Sequence, residues 1–132
     1  MINKTQWQKR VDMTQYVYSS LVKSLKGDEL KQDFFNADNY QFDAKQLKVL
    51  EYYAEHQNEI VELFSKNLGK NWTWDRIAPM TQAILIVAYC EVKVLKQDIA
   101  IAIDQALITA DRYGQLDTKK FINAVLDKIL KK

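Results

Sequence analysis

Residues 83–90 read AILIVAYC, eight apolar residues without interruption. Such a run suits either a buried strand or a helix buried on most of its sides, and periodicity alone does not separate the two. Its surroundings do. Helix-periodic stripes lie on both flanks, the alanines favour helix, and no second strand candidate exists for it to pair with. Pro79 opens the stretch, where a proline's missing N–H costs nothing because the first helical turn has no intrahelical acceptor for it. A central buried helix is therefore predicted.

Working outward, Leu47, Leu50, Ala54, Val61, Phe64 and Leu68 follow a three-four rhythm after a cap at Asp43, with Gln46 three residues on. This predicts one long amphipathic helix. Ile99, Ala102, Ile103, Ala106, Leu107 and Ala110 make a second stripe, and Phe121, Ile122, Val125, Leu126, Ile129 and Leu130 a third, capped by Asp117 or Thr118. Gly27, Gly69 and Gly114 each follow a periodic stretch and read as helix ends. Residues 28–42 give the weakest signal. The expectation is an all-α bundle of about six or seven helices forming one domain over residues 1–132.

The longest apolar run is far short of the roughly 20 residues a membrane span needs, so a cytoplasmic protein with no membrane partner is expected. The net charge of +2 conceals segregation. Residues 1–26 carry five bases against Asp12, net +4; residues 27–62 carry three bases against nine acids, net −6; residues 63–132 carry eleven against seven, net +4. If the two basic ends meet, their fields add and suit a polyanion; the alternative is a set of solvated faces.

Catalytic patterns are missing from the sequence. His56 is the only histidine, and Glu51, Glu55 and Glu59 around it share one helix face, which suits water better than a metal. A carboxylate-bundle metal site needs Glu-x-x-His pairs, and none occurs. Cys90 lies inside the apolar run, where burial makes a thiol inert. No nucleophile elbow, P-loop or dinucleotide fingerprint is present. An enzyme is not expected, nor a cofactor or metal. The N-terminal stretch NKTQWQKRVDMTQYVYSS instead mixes Lys4, Lys9 and Arg10 with Trp7, Tyr16 and Tyr18. Cations neutralise phosphates and exposed rings stack on unpaired bases, a mixture suited to single-stranded RNA. The competing reading makes the rings core residues and the cations surface charge.

NWTWDRIAPMTQAIL, AYCEV, IAIDQALITADRYG and DTKKFINAVLDKI, in this order, resemble the transcription antitermination factor NusB family over about residues 71–130, with the first helix matching more loosely. The resemblance implies a NusB-like helical bundle that binds the boxA element of nascent ribosomal RNA together with NusE, a ribosomal protein. It further implies assembly with RNA polymerase and other Nus factors, and allows a homodimer through the partner surface. Carried over by position, the RNA-binding residues would be Lys4, Lys9, Arg10, Tyr18, Asp117, Lys120 and Phe121, and the partner-binding residues Thr81, Ile99 and Gln105.

Several positions depart from the family pattern. Gln6, Trp7 and Gln8 stand where arginines are usual, which removes counterion-release terms and predicts weaker phosphate contact. Ile86 replaces an arginine, Ala124 a glycine, Gln105 a glutamate, and Asp98 falls near an expected proline. The alternative function is a helical protein-interaction module that has lost specific RNA binding. It would use the acidic face of Glu51, Glu55, Glu59 and Glu62, or the helix bearing Gln105, to meet a basic protein.

Overall fold

The computed structural model describes residues 4–113 and 116–131. Seven α-helices follow in order: α1 (Gln6–Val22), α2 (Gly27–Phe35), α3 (Ala44–Glu55), α4 (Gln57–Ser65), α5 (Pro79–Leu95), α6 (Ile99–Arg112) and α7 (Lys119–Leu130). Short 3-10 turns, Trp74–Arg76 and Leu116–Thr118, precede α5 and α7. No strand occurs among the described residues, so the ambiguous run is helical and the all-α expectation holds.

The apolar run sits at the centre of α5, which starts at Pro79 and is buried throughout residues 81–91. A helix that is apolar all round must be covered all round: α1, α3, α6 and α7 each pack on it. Leu85, Ile86, Ile122, Leu126 and Val17 are almost wholly enclosed in the shared core. Burial of each large aliphatic side chain contributes roughly 1.5–3 kcal/mol.

Two details differ from the sequence expectations. The long helix expected to run through residues 47–68 is two helices, broken at His56, whose backbone lies at φ −125°, ψ 24°. His56 Nδ1 sits 2.9 Å from the Tyr52 carbonyl and its ring stacks on Tyr52 at 4.1 Å. A carbonyl only accepts, so this geometry calls for the tautomer with its proton on Nδ1. The bend leaves the apolar rhythm intact on both sides, which is why the sequence reads as continuous: Leu50 and Ala54 are buried on α3, Phe64 on α4.

Gly27 does adopt a left-handed conformation (φ +55°), yet it opens α2 rather than closing α1, and Ser24 (φ 57°) makes the turn after α1. Gly69 (φ +89°) follows α4 as expected, whereas Gly114 lies outside the described residues. The weak segment 28–42 contains α2 and then a loop held by rings. Tyr40 and Phe42 stack at 5.0 Å, and Tyr16 of α1 meets both edge-on. The Asp43 cap is present in full, with the Gln46 amide donating to Asp43 Oδ1 and the Asp43 amide to Gln46 Oε1, each 2.8 Å.

Candidate nucleic-acid interface

The three N-terminal cations, Lys4 just before α1 and Lys9 and Arg10 on it, each meet a carboxylate. Lys4 Nζ is 2.5 Å from Asp12 Oδ2 and also donates to the Tyr40 carbonyl at 2.6 Å. Lys9 Nζ lies 2.9 Å from Asp43. Arg10 is buried, its Nε 3.1 and 3.0 Å from the two oxygens of Glu91 on α5. Burial pushes the Glu91 carboxyl up to about 7, against the opposing pull of the Arg10 charge and hydrogen bond. Lys4 and Lys9 thus fasten the N-terminal turn to the 37–43 loop, and Arg10 pins α1 to the central helix.

The aromatic residues of this helix separate. Tyr16 is core, its hydroxyl donating to Asp33 Oδ2 at 2.6 Å, and burial followed by that carboxylate raises its pKa. Trp7 is half-buried, with its indole N–H enclosed and no protein acceptor among the described residues. Tyr18 is 39% exposed. Gln15, three residues before it and so on the same helix face, donates to the Tyr113 hydroxyl at 2.7 Å. That bond ties the Tyr18 side of α1 to the end of α6, ahead of the turn carrying Asp117.

At the start of α7 the arrangement is more open. Asp117 is exposed in the 3-10 turn, Thr118 takes the N-cap position, and Lys119 is paired with Asp111 at 3.0 Å. Lys120 is exposed, and no carboxylate among the described residues forms an ion pair with it. Phe121 is half-buried: one side packs on the core, and its ring lies 5.5 Å from the ring of Trp72, inclined at 46°. The Arg76 guanidinium sits 5.9 Å from the centre of the Trp72 ring, at cation–π range.

Trp72 and Arg76 had no site role assigned from the sequence. In an extended stretch residues two apart share a face, so NWTWDR alone puts Trp72 and Trp74 together, and it is the 3-10 turn opening at Trp74 that breaks this alternation. Thr73 is extended (φ −122°, ψ 154°), Trp74 is buried and stacks on Phe64 at 5.4 Å, and Trp72 stays 48% exposed. Side-chain bonds fix the turn: Gln82 Nε2 donates to the Trp74 carbonyl at 2.8 Å and Arg76 Nη1 to the Asn71 carbonyl at 3.2 Å.

The residues expected to meet a protein partner occupy α5 and α6. Thr81 is buried in the first turn of α5, Ile99 opens α6 half-buried, and Gln105 is half-buried. A small crevice where α1, α5 and α6 meet is lined by Arg10, Glu91 and Gln105. Ile101 and Ile108 on α6 are exposed, 48% and 42%. On the acidic face, Glu55 pairs with Lys31 and Glu62 with Lys66, and no cluster among the described residues could hold a metal ion. Cys90 is enclosed, and burial pushes its thiol far up, away from reactivity.

This seven-helix arrangement has known relatives. The NusB family model matches residues 8–131. The chain belongs to the NusB family. It is 31% identical over 126 residues to the transcription antitermination protein NusB of Methylacidiphilum infernorum, covering 90% of this chain and 85% of that protein. The Geobacillus kaustophilus NusB is 38% identical over 77 residues, 58% of each chain. Among solved structures, NusB of T. maritima superposes with a TM-score of 0.82 at 23% identity, covering 99% of this chain and 94% of that one. A conserved hypothetical protein from Mycoplasma genitalium with structural homology to NusB proteins gives 0.71 at 27% identity, covering 89% and 92%. The NusB assignment thus spans both the basic first helix and the start of α7. No described helix is long and apolar enough to cross a membrane.

Proposed function

We propose that this chain is a transcription antitermination factor that binds boxA-like single-stranded RNA in nascent ribosomal RNA, together with the ribosomal protein NusE. The observation that carries this reading is the start of α7, where Lys120, exposed and in no ion pair among the described residues, adjoins the half-exposed ring of Phe121. The lysine suits a phosphate and the ring suits an unpaired base. Asp117 precedes this surface in the 3-10 turn before α7, Tyr18 lies on α1, which is tied to the end of α6 through Gln15 and Tyr113, and Lys4 and Lys9 are the further cations of the reading. Arg10 contributes by holding α1 against α5.

NusE is proposed to dock on α6 beside Ile99 and Gln105, where Ile101 and Ile108 offer exposed apolar surface. A homodimer would compete for the same helix. The protein then works by adhesion, carrying RNA and ribosomal protein to RNA polymerase and other Nus factors in the cytoplasm, with no reaction of its own. With its first-helix cations engaged in ion pairs, RNA binding depends on NusE. Those same pairs favour the second reading, a protein-interaction module without RNA specificity.

Fluorescence anisotropy at about 150 mM salt, where screening suppresses loose attraction, separates the two. A boxA-like RNA preferred over a scrambled control, more strongly with NusE present, supports the antitermination reading. Equal weak binding of both RNAs in the presence of NusE rejects it in favour of the interaction module.

A further inference from the structure

We propose that Trp72 and Arg76, together with Phe121, form a stacking station for one unpaired base of bound RNA, beside the phosphate contact at Lys120. This rests on the RNA-binding reading above and adds to it residues from the turn before α5.

Exposed single hydrophobics are ordinary on protein surfaces, but Trp72 is held in a particular way. Its indole is 48% exposed while leaning on Phe121 at 5.5 Å and lying under the Arg76 guanidinium at 5.9 Å. Arg76 is steadied by its bond to the Asn71 carbonyl. The ring therefore keeps an accessible surface in a fixed orientation, which lowers the ordering cost of a stacked ligand. A base has a π-face to stack there, and the cations Arg76, at the Trp72 ring, and Lys120, exposed next to Phe121 in the chain, answer the phosphates that flank it. Asp75 and Asp117, exposed in the two adjoining 3-10 turns, are acceptors for base amino groups. An apolar protein partner would leave these charges unanswered, whereas single-stranded RNA uses rings, cations and acceptors together.

The test is binding of an unstructured boxA-like RNA, with NusE present, by the parent protein and by Trp72→Ala, Trp72→Phe, Arg76→Gln and Lys120→Ala, each checked for folding by circular dichroism. Trp72→Ala should bind about 5- to 100-fold more weakly with an unchanged salt slope, and Trp72→Phe should stay within about threefold of the parent. Arg76→Gln should make the slope of log affinity against log salt shallower by about 0.7. RNA should also quench tryptophan fluorescence in the parent and much less in Trp72→Phe, a readout that holds even if Trp72→Ala is poorly folded. An undiminished quench in Trp72→Phe, or full affinity in folded Trp72→Ala while Lys120→Ala is weakened, overturns the stacking station and leaves the α7 contact standing. Absence of any boxA preference in the parent overturns both.

Discussion

The two basic ends of the chain carry the same kinds of side chain in opposite circumstances. At the N-terminal end Lys4, just before α1, and Lys9 and Arg10 on it are engaged by Asp12, Asp43 and Glu91. At the start of α7, Lys120 has no such partner among the described residues and stands beside Phe121 and Trp72. A count of cations treats the two regions as equal, but a phosphate must displace a carboxylate at the first, whereas no carboxylate among the described residues pairs with Lys120 at the second. The first end holds helices in place, and the second leaves a cation and two rings partly open to solvent.

The sharpest way to break that contrast is Arg10→Ala, which strands Glu91 in the core. Removing one member of a buried pair costs about 3–5 kcal/mol, and urea unfolding at pH 8 should register it. The loss should shrink at pH 5, where Glu91 takes up a proton. The same group gives the parent a pH dependence. Its folded pKa, about 7, lies above the ordinary carboxyl value. Its contribution is therefore fully present below about pH 4.5 and lost as pH rises through 7. Glu91→Gln should abolish this decline between pH 5 and 8, and a variant that keeps it would show that another group titrates.

Next in size is Phe121→Ala. It should weaken RNA binding about 5- to 100-fold with little change in salt slope, read by anisotropy. Asp43→Ala should cost about 1 kcal/mol of stability by removing the α3 cap, while freeing Lys9 for phosphate. RNA affinity should then rise slightly even as the melting temperature falls, and a drop in both would show that the Lys9 ion pair is itself needed for binding. Smallest is the comparison of Lys120→Ala with Lys9→Ala. The first should make the salt slope shallower by about 0.7 and the second by less. Equal changes would erase the distinction between the two ends.

The sequence disclosed the architecture because the signals that set it are local. Pro79 opens α5, Asp43 and Gln46 close a reciprocal cap, and the stripes of α6 and α7 repeat every three or four residues. The bend at His56 was hidden, since a kink between two in-phase stripes leaves the apolar spacing unchanged. The site was legible only in part, because its decisive facts are long-range. Arg10 finds Glu91 81 residues away, and no local pattern announces that. Trp72 meets Phe121 only after α7 folds back over the turn before α5. The family resemblance supplied Lys120 and Phe121 as candidates, and the packing around them added Trp72 and Arg76.

The most direct measurement is an NMR titration of the isotope-labelled protein with a boxA-like RNA in the presence of NusE, compared with NusE alone. The account predicts that RNA shifts the Trp72 indole N–H and the backbone amides of residues 119–123 most, while the buried Trp74 indole stays nearly still. Shifts concentrated around Lys4 and Lys9, with the Trp72 indole unmoved, would contradict it and return the RNA surface to the first helix.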